Sequence, residues 1–274
     1  MSVELPNIEE RARRFRDAYG RQRAAEGRSA SPQELLALPY LEKGALARQW
    51  QVRARTFACF LDVVLQPRAL QVAPRRMRVA DLGAGNGWLC YRLALQGHDG
   101  LAVDIRTDNV DGLGAAAAYT EHLPVPFARL AASFESVPLA ARSCDVAVFN
   151  AALHYALDLR VALAEAARIV VPRGKIVILD SPFYVDEVQG LAMVAEKQNH
   201  AAQQFGALAE DLMGLPFVEF LTPERLEHAS APLGLQWRRQ RVRYPLWYEI
   251  RPLLAQLRRR RPPSRFDLWE AVVP

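Results

Sequence analysis

The residues of this chain with the clearest chemical potential lie at 79–90, in the segment VADLGAGNGWLC. Glycine occupies positions 83, 85 and 87, just after an apolar run that contains the acidic residue Asp81. Turns rich in glycine let the backbone approach a ligand closely, and in several nucleotide sites they hold a pyrophosphate or a triphosphate. The neighbouring residues indicate which ligand suits this turn.

Two phosphate ligands fit the turn poorly. A dinucleotide site uses the spacing G-x-G-x-x-G, but Trp88 occupies the place of its third glycine. A triphosphate loop ends in Gly-Lys-Ser or Gly-Lys-Thr, which this segment lacks. Asp81 would repel a phosphate but suits a cation, and Asp104, at the end of the next apolar run, is placed to bind both hydroxyl groups of a ribose. The pattern predicts a nucleoside with a positively charged tail.

This combination resembles the class I S-adenosylmethionine-dependent methyltransferases, and within them the branch of quinone-biosynthesis and other small-molecule enzymes. VADLGAGNG is similar to the family's first motif and LAVDI to its second, and segments 131–156 and 162–182 are similar to its later strands and turns. The resemblance covers about residues 76–182 and implies S-adenosylmethionine as the cofactor. The cofactor-binding residues that it implies are Asp81, Gly83, Ala84, Gly85, Asn86, Gly87, Asp104, Ile105, Ser133, Phe134 and Asn150.

Methyl transfer from a sulfonium is one in-line displacement, so the protein must chiefly position the reactants and exclude water. No metal is required, and none is predicted from the sequence. If the acceptor is a hydroxyl group or an acidic carbon, a base can remove its proton. His154, four residues after a predicted strand, is the catalytic candidate. Substrate contacts are predicted for Trp50, His154, Tyr155, Tyr184 and His200, although a structural role in a turn or on a helix face also fits each of them.

The surrounding sequence predicts the elements that hold these residues. Predicted strands lie at 77–82, 100–104, 127–130, 145–150, 174–180, 235–244 and 266–273. Predicted helices lie at 7–27, 32–66, 87–96, 108–120, 157–170, 222–233 and 248–258. Strands that alternate with helices are typical of a doubly wound, Rossmann-like α/β sheet. The family resemblance adds that the sheet has seven strands and that the last one is antiparallel.

The chain divides into an N-terminal helical cap segment, residues 1–75, and a methyltransferase domain, residues 76–274. Apolar residues recur at helical spacing over 185–213 and predict a long helix or a pair of helices. We expect the helical insert at 183–221, with the N-terminal helices, to cover the carboxyl edge of the sheet as a cap that binds the substrate.

Three functions fit these features. The first is an enzyme that methylates a small organic acceptor, since no NPPY-like segment and no Pro-Cys nucleophile follows Asn150, as methylation of nucleic-acid bases would need. The second is an RNA methyltransferase, favoured by the arginine run at 258–265 and by basic chain ends under a net charge of +5. The third is a cofactor-binding partner subunit without catalysis. The acidic stretch at 181–221 also fits a cationic acceptor or a solvated helix face.

The first residues are charged throughout and lack the apolar core of a signal peptide, and no later segment runs eighteen residues without a charge. We therefore expect a cytoplasmic protein without membrane insertion. Its expected partner is a small-molecule acceptor rather than a nucleic acid.

Overall fold

A computed structural model describes residues 8–274, except 26, 28, 29 and 207. Its strands are β1 (Arg78–Leu82), β2 (Asp99–Asp104), β3 (Ala128–Ala131), β4 (Cys144–Asn150), β5 (Val170–Leu179), β6 (Trp237–Gln240) and β7 (Leu268–Val272). Over these described residues the strands form one seven-stranded sheet in the order β3-β2-β1-β4-β5-β7-β6. β1 to β5 pair in parallel, and β7 runs antiparallel to β5 and β6. The predicted doubly wound sheet with an antiparallel last strand is confirmed.

The helices surround this sheet. They are α1 (Ile8–Ala25), α2 (Pro32–Ala37), α3 (Ala47–Phe60), α4 (Gln66–Val72), α5 (Trp88–Leu95), α6 (Leu159–Ile169), α7 (Glu187–Phe205), α8 (Leu208–Leu212), α9 (Pro223–Ser230), α10 (Leu246–Glu249) and α11 (Arg251–Leu257). Among the residues described, no helix is both long enough and apolar enough to cross a membrane. The predicted helix at 7–27 is present as α1, although residues 7 and 26 lie outside the described residues.

The prediction of one helix over 32–66 is wrong. α2 ends at Ala37, and the next helix, α3, begins only at Ala47. Pro39 cannot continue α2, because proline lacks the N–H donor and its ring clashes with the preceding turn. Gly44, with a φ of 95°, then turns the chain. Beyond α3 the helix runs through a π-helical turn, Leu61–Leu65, into α4, so it also ends later than predicted.

Two further elements differ from the predictions because side chains capture backbone groups. The predicted helix at 108–120 is a 3-10 helix, Leu113–His122. Before it, Asp108 Oδ1 accepts the N–H groups of Val110 and Asp111, each at 3.0 Å, which favours a turn over a helix. The predicted strand at 235–244 shortens to β6, since the Val242 N–H donates to Asp267 Oδ1 at 3.1 Å instead of to a strand partner. β5, in contrast, begins at Val170, four residues before its predicted start at 174.

The winding of the chain reverses between β1 and β4, which opens a crevice at their carboxyl ends. Val79 of β1 faces one apolar core, with Phe57 and Phe60 of α3, and its neighbour Ala80 faces the other core. This alternation is the period of two expected for a strand that is covered on both faces. Side chains at the carboxyl ends of these parallel strands therefore lie together at one edge of the sheet.

The start of β4 is fixed to the segment before β1 by a buried carboxylate. Asp145 accepts hydrogen bonds from Arg75 Nη1 at 2.7 Å, from Arg75 Nη2 at 2.5 Å and from the Arg78 N–H at 2.9 Å. Burial acts to raise the pKa of Asp145, but the bonds from Arg75 and the Arg78 N–H outweigh it, so the pKa stays below its ordinary value. This clamp holds in register the two strands that bound the crevice.

Candidate functional site

A cavity of about 780 Å³ opens in the crevice at the carboxyl edge of the sheet. The turn after β1 and the residues that end or follow β2, β4 and β5 form its floor. Side chains of α1 and α3, of segment 215–217 and of α10 and the start of α11 form its walls. One space thus connects the predicted nucleoside site with surfaces from both ends of the chain.

The glycine turn forms the part of the floor between β1 and α5. Gly83 has a φ of 81° and Gly85 a φ of 54°, in the left-handed region that glycine adopts at little cost. A Cβ on Gly83 would lie 2.4 Å from the Cβ of Ala152, so a side chain has no room there. The N–H groups of Gly83 and Ala84 both donate to the Val103 carbonyl, at 2.8 and 3.0 Å. These bonds anchor the turn to β2.

Asp104 ends β2 beside this turn and lines the cavity. Its Oδ2 accepts the Gly85 N–H at 2.7 Å, and its Oδ1 accepts the Arg106 N–H at 2.8 Å. Burial raises the pKa of Asp104, against the opposing effect of these two bonds and of the Arg106 charge. Each oxygen of an ionised carboxylate retains a further lone pair, so this fixed carboxylate can accept the hydroxyl groups of a ribose.

Asp81 lies behind the glycine turn, fully buried in β1. Neither of its carboxylate oxygens has a hydrogen-bond partner among the described residues, and Asn150 Oδ1, on the cavity lining, has none either. Burial and the nearby Asp104 raise the pKa of Asp81 well above its ordinary value. Since buried polar atoms normally have partners, these orphaned oxygens fit a ligand with hydrogen-bond donors and a positive charge. The residues at this edge therefore fit a nucleoside with a cationic tail.

Helix α1 lies across the nucleoside part of the cavity. Arg23 Nε donates to Asp111 Oδ2 at 2.7 Å, and Asn86 Nδ2 donates to Asp111 Oδ1 at 3.2 Å. The Tyr19 ring lies between two guanidinium groups, 5.5 Å from that of Arg23 and 5.2 Å from that of Arg106. This cluster binds a helix from the start of the chain to the loop after β2.

Residues after β3 form the side of the cavity where the resemblance places the adenine. Ser133 and Phe134 line it, and the Phe134 ring packs edge-on against Phe149 at 5.6 Å. Glu135, which the sequence interpretation missed, lines it as well. Its Oε1 accepts the N–H groups of Leu157 and Asp158, at 2.7 and 2.8 Å. An acid is therefore present two positions after Ser133.

Asp180 is the titratable residue that the sequence interpretation most clearly overlooked. It follows β5 with a φ of 50°, is buried, and lines the cavity. Burial raises the pKa of its carboxyl group, while the Arg53 charge and the Thr56 hydroxyl group, both on α3, act to lower it. Its Oδ1 has no partner in the described part of the chain. Strained backbone that carries an unsatisfied acid is common at functional sites.

His154, the predicted base, also lines the cavity. Burial, followed by the charges of Lys197 and Arg53, lowers the pKa of His154 to about 3. Its Nδ1 has no partner over the residues described. The imidazole is thus neutral at physiological pH and holds a second proton weakly.

The structure brings most of the predicted site residues to this cavity. The lining includes Trp50, Gly83, Ala84, Gly85, Asn86, Asp104, Ile105, Ser133, Phe134, Asn150, His154 and Tyr155. Asp81 lies behind the turn, and Gly87 precedes α5, where its Cα faces Phe127 instead of the cavity. Trp88 both lines the cavity and packs edge-on against Trp50, with ring centroids 5.8 Å apart.

Two predicted substrate residues, Tyr184 and His200, are not on this lining. Tyr184 is buried against Phe220, with ring centroids 5.9 Å apart, and His200 is exposed on α7. Gly190 lets α7 approach Phe220 closely, because any Cβ there would lie 1.9 Å from that ring. The contact turns this face of α7 toward the protein and leaves the His200 face in solvent.

The expected cap reaches the cavity only in part. From the insert at 183–221, the lining includes Leu215 and Phe217 but no residue of α7 or α8. The remaining lining residues that the sequence interpretation missed include Tyr19, Arg23, Asp111, Trp247, Tyr248, Arg251 and Phe266. Asp180 carried a usable signal, since it ends an apolar strand as Asp104 does. Asp111 lies in the loop after β2, and the others come from distant segments and had no local signal.

Comparison with known proteins identifies the part of the chain that builds the cavity floor. Residues 80–178 match the family model of the methyltransferase domain. This segment includes the glycine turn, Asp104 and Asn150, which form the edge that fits a nucleoside with a cationic tail. Residues 80–178 are therefore similar to a methyltransferase domain.

Curated relatives also match part of this chain. An uncharacterized methyltransferase of Mycobacterium tuberculosis is 38% identical over 99 residues, which are 36% of this chain and 37% of that protein. The match therefore spans just over a third of the length of these curated relatives. The walls of the cavity lie mostly outside residues 80–178, the segment that matches the family model.

Solved structures of methyltransferases share the fold over most of the chain. The Burkholderia thailandensis 1,6-didemethyltoxoflavin-N1-methyltransferase, bound to 1,6-didemethyltoxoflavin and S-adenosylhomocysteine, is 17% identical, covers 100% of this chain and 93% of its own, and has a TM-score of 0.55. The Streptomyces coelicolor geranyl diphosphate C-methyltransferase is 12% identical, covers 85% of each chain, and has a TM-score of 0.58. At these identities the likeness extends to the fold alone.

Proposed function

We propose that this protein binds S-adenosylmethionine and transfers its methyl group to a small organic acceptor. The observation that carries the proposal is the single cavity of about 780 Å³ that joins the nucleoside edge to a chamber walled by aromatic rings. A cavity of this size is typical of small-molecule sites. Trp50 and Trp247 belong to that chamber, and Asp104 belongs to the nucleoside edge.

The chain's own residues have distinct parts in this proposal. Asp104 binds the ribose hydroxyl groups, the glycine turn places backbone against the amino-acid tail, and Asp81 supplies the buried negative charge that favours the ammonium group of that tail. When bound, S-adenosylmethionine supplies an electrophilic methyl carbon, which an acceptor lone pair attacks while the sulfur leaves as a neutral thioether with the bonding electrons. Because the leaving group is neutral, positioning and water exclusion are the main catalytic demands.

For an acceptor that loses a proton, we propose Asp180 as the residue that accepts it. A general base works best when its pKa lies near the operating pH. Burial raises the pKa of Asp180 toward that range, whereas the pKa of His154 is lowered to about 3. His154 remains the sequence-based candidate, and as a neutral ring it can bind an acceptor hydroxyl group through Nδ1.

Two measurements test the proposal. Titration calorimetry with S-adenosylhomocysteine should give one site per chain, and Asp104→Ala should abolish that binding. Incubation with methyl-labelled S-adenosylmethionine and a metabolite extract should then move label into a small-molecule fraction. If the folded protein does not bind S-adenosylhomocysteine, the proposed function is wrong. If the label appears only in RNA, the acceptor is RNA and not a small molecule.

The RNA alternative rests on the arginine run at 258–265. Two of these arginines form ion pairs within the protein. Arg261 pairs with Glu196 at 2.7 Å, and Arg265 pairs with Glu249 at 2.7 Å and with Asp267 at 3.0 Å. Arg258, Arg259 and Arg260 remain exposed. Electrophoretic mobility shift decides between the two, because salt-sensitive binding at submicromolar protein would favour RNA.

A cofactor-binding partner subunit without catalysis is the remaining alternative. It would bind S-adenosylhomocysteine equally well, so binding does not separate it from an enzyme. The space beside the nucleoside edge favours an enzyme, since a subunit that only binds the cofactor has no need of room for an acceptor. Failure to label any fraction, combined with recovery of one stable protein partner, would favour the subunit.

A further inference from the structure

The corner of the cavity farthest along the chain from the glycine turn is built by α3, α10 and α11. Trp247 Nε1 donates to Gln51 Oε1 on α3 at 3.1 Å. The Tyr248 hydroxyl group accepts the Phe266 N–H at 3.1 Å, and the Trp247 and Tyr248 rings meet edge-on at 5.9 Å. The corner is therefore a fixed surface of aromatic rings.

Two arginines are held on these rings and line the same cavity. The Arg48 guanidinium lies 5.7 Å from the centroid of Trp247, and that of Arg251 lies 3.5 Å from the centroid of Tyr248. Arg251 also donates to the Ser264 carbonyl at 2.9 Å. Stacking and this bond restrict the side chains in advance, which lowers the entropic cost of binding an anion.

Neither arginine has an acidic partner where the structure describes the chain, since no ion pair of Arg48 or Arg251 occurs among the described residues. The nearby acid Glu249 is committed to Arg265, at 2.7 and 3.0 Å. Asp180 is the acid on this side of the lining, and it faces Arg53. The corner therefore offers positive charge that the protein itself leaves uncompensated.

A cationic acceptor fits this corner poorly. Aromatic rings can bind ammonium groups, but here guanidinium charges lie close to the rings and would repel a further cation. The guanidinium of Arg48 is 5.7 Å from the centroid of Trp247, that of Arg251 is 3.5 Å from Tyr248, and that of Arg53 is 4.9 Å from Trp50. The acids of the insert do not help, because none of them lies on the cavity lining, and Glu187 and Glu196 pair with Arg225 and Arg261. The acidic stretch thus gives no support for an amine acceptor at this cavity.

We propose that the acceptor is a planar aromatic molecule that carries a carboxylate, with its ring against Trp50 and Trp247 and its carboxylate against Arg48 and Arg251. Guanidinium groups bind carboxylates in plane through two N–H donors, and the rings supply flat apolar contact. The inference rests on the proposed methyl-transfer function and names its substrate class. It assigns acceptor recognition to residues outside the segment that matches the family.

The test is calorimetric binding to the whole protein saturated with S-adenosylhomocysteine. The probes are 4-hydroxybenzoate, 4-hydroxycinnamate and 1-hydroxy-2-naphthoate, each beside its methyl ester, which keeps the ring but removes the charge. We expect at least one acid to bind about ten-fold tighter than its ester. Equal binding of acid and ester, tighter binding of the matching aryl amine, or binding of none of the acids would overturn the inference.

Substitutions test whether Arg48 and Arg251 are the residues that bind the carboxylate. Arg48→Gln and Arg251→Gln should each weaken the acid by about five-fold or more and leave its ester and S-adenosylhomocysteine unchanged. Arg251→Lys should keep part of the affinity if the charge matters. Arg55→Gln, exposed on α3 and off the lining, is the matched control. An effect of Arg55→Gln equal to that of Arg48→Gln would refute a specific corner.

The two proposals fail separately. If the protein binds S-adenosylhomocysteine but prefers no acid over its ester, only the proposed acceptor class is wrong. Loss of S-adenosylhomocysteine binding in the unaltered protein removes the methyl-transfer function itself. Thermal unfolding of each variant checks that a lost acid affinity does not come from lost structure.

Discussion

Asp81 holds an unpartnered carboxylate inside the sheet, and this has a measurable effect on stability. Without ligand, the Asp81→Asn variant should gain about 1 kcal/mol in free energy of unfolding at pH 7, because it no longer buries an unpaired acid. Its affinity for S-adenosylhomocysteine should fall about ten-fold, because the ammonium group of the ligand loses a buried negative charge. Calorimetry and thermal unfolding measure both effects.

The sign of the pH effect follows from the raised pKa of Asp81. The native carboxyl keeps its proton to higher pH than the unfolded one, so the native state binds more protons and stability falls as pH rises above the ordinary pKa. Relative to the unaltered protein, Asp81→Asn should therefore gain most at pH 7 and least near pH 4. Asp99→Asn, an exposed acid at the start of β2, should show neither change. A destabilised Asp81→Asn protein would contradict this account.

The pH dependence of methyl transfer should differ according to whether Asp180 or His154 is the base. A base with a raised pKa gives a rate that increases with pH through that pKa, because only its deprotonated form accepts the proton. Asp180→Asn should remove this acidic limb and lower kcat by about 100-fold. His154→Asn should keep the limb, since a pKa of about 3 lies below the measured range. Loss of the limb in His154→Asn would restore histidine as the base.

The sequence indicated the floor of the cavity but, apart from Trp50, little of its walls, for a physical reason. Gly83, Gly85 and Asp104 lie in one β-α-β segment, β1-α5-β2, where spacing along the chain determines position in space. Asp180 sits at an equivalent place after β5 and could have been found by the same reasoning. Arg48 and Arg251 are about two hundred positions apart in the sequence, and only tertiary packing, such as that of α3 on α10, brings both to the lining of one cavity.

Among the secondary-structure elements, the turn from β1 into α5 allows the cost of backbone strain to be separated from the cost of a steric clash. Gly83 and Gly97 have nearly equal φ values, 81° and 79°, but a Cβ on Gly83 meets Ala152 at 2.4 Å, whereas one on Gly97 meets nothing within 4 Å. Gly97→Ala should cost about 1 kcal/mol in free energy of unfolding through backbone strain alone. Gly83→Ala should cost about 2 kcal/mol more, because the segment after β4 that carries Ala152 must move away.

Chemical denaturation of the two variants gives both free energies. Gly83→Ala should also weaken S-adenosylhomocysteine binding, while Gly97→Ala should bind as the unaltered protein does. Similar stabilities of the two variants would mean that the segment after β4 accommodates the extra methyl group, and the close packing of the turn would not matter.

Prediction of the elements succeeded where apolar periodicity was unopposed and failed where side chains redirected the backbone. β1, β2 and β4 are buried runs, and their positions follow from the sequence. The predicted helix at 108–120 failed because Asp108 captures two N–H groups, and the one at 32–66 failed at Pro39. Such local captures override an apolar pattern that would otherwise favour a helix.

In the whole molecule, α1 packs against α8 and also makes contacts around the cavity. Phe15 is buried against Phe217, with ring centroids 4.7 Å apart, and the Tyr19 and Tyr155 hydroxyl groups are 3.2 Å apart. Phe15→Ala should remove about 3 kcal/mol of docking free energy from α1. Hydrogen exchange of α1 amides should become about 100-fold faster, while exchange in β1 and β4 stays slow.

S-adenosylhomocysteine should dissociate faster from the Phe15→Ala protein, because α1 covers the nucleoside part of the cavity. Arg14→Gln alters the exposed side of the same helix and should change neither exchange nor dissociation. Equal acceleration of exchange in α1 and in the sheet would show that α1 and the sheet unfold together.

The dispersed origin of the cavity walls bears on how this protein could acquire a new acceptor. The nucleoside floor is encoded in one continuous stretch, whereas α3, segment 215–217 and α10 reach the cavity from separate parts of the chain. Substitutions in those segments can therefore accumulate while donor binding is conserved. Under the proposed function, an engineer who replaces α3 together with its α10 partner would alter the acceptor side of the cavity and keep the glycine turn, Asp104 and Asn150 of the donor side.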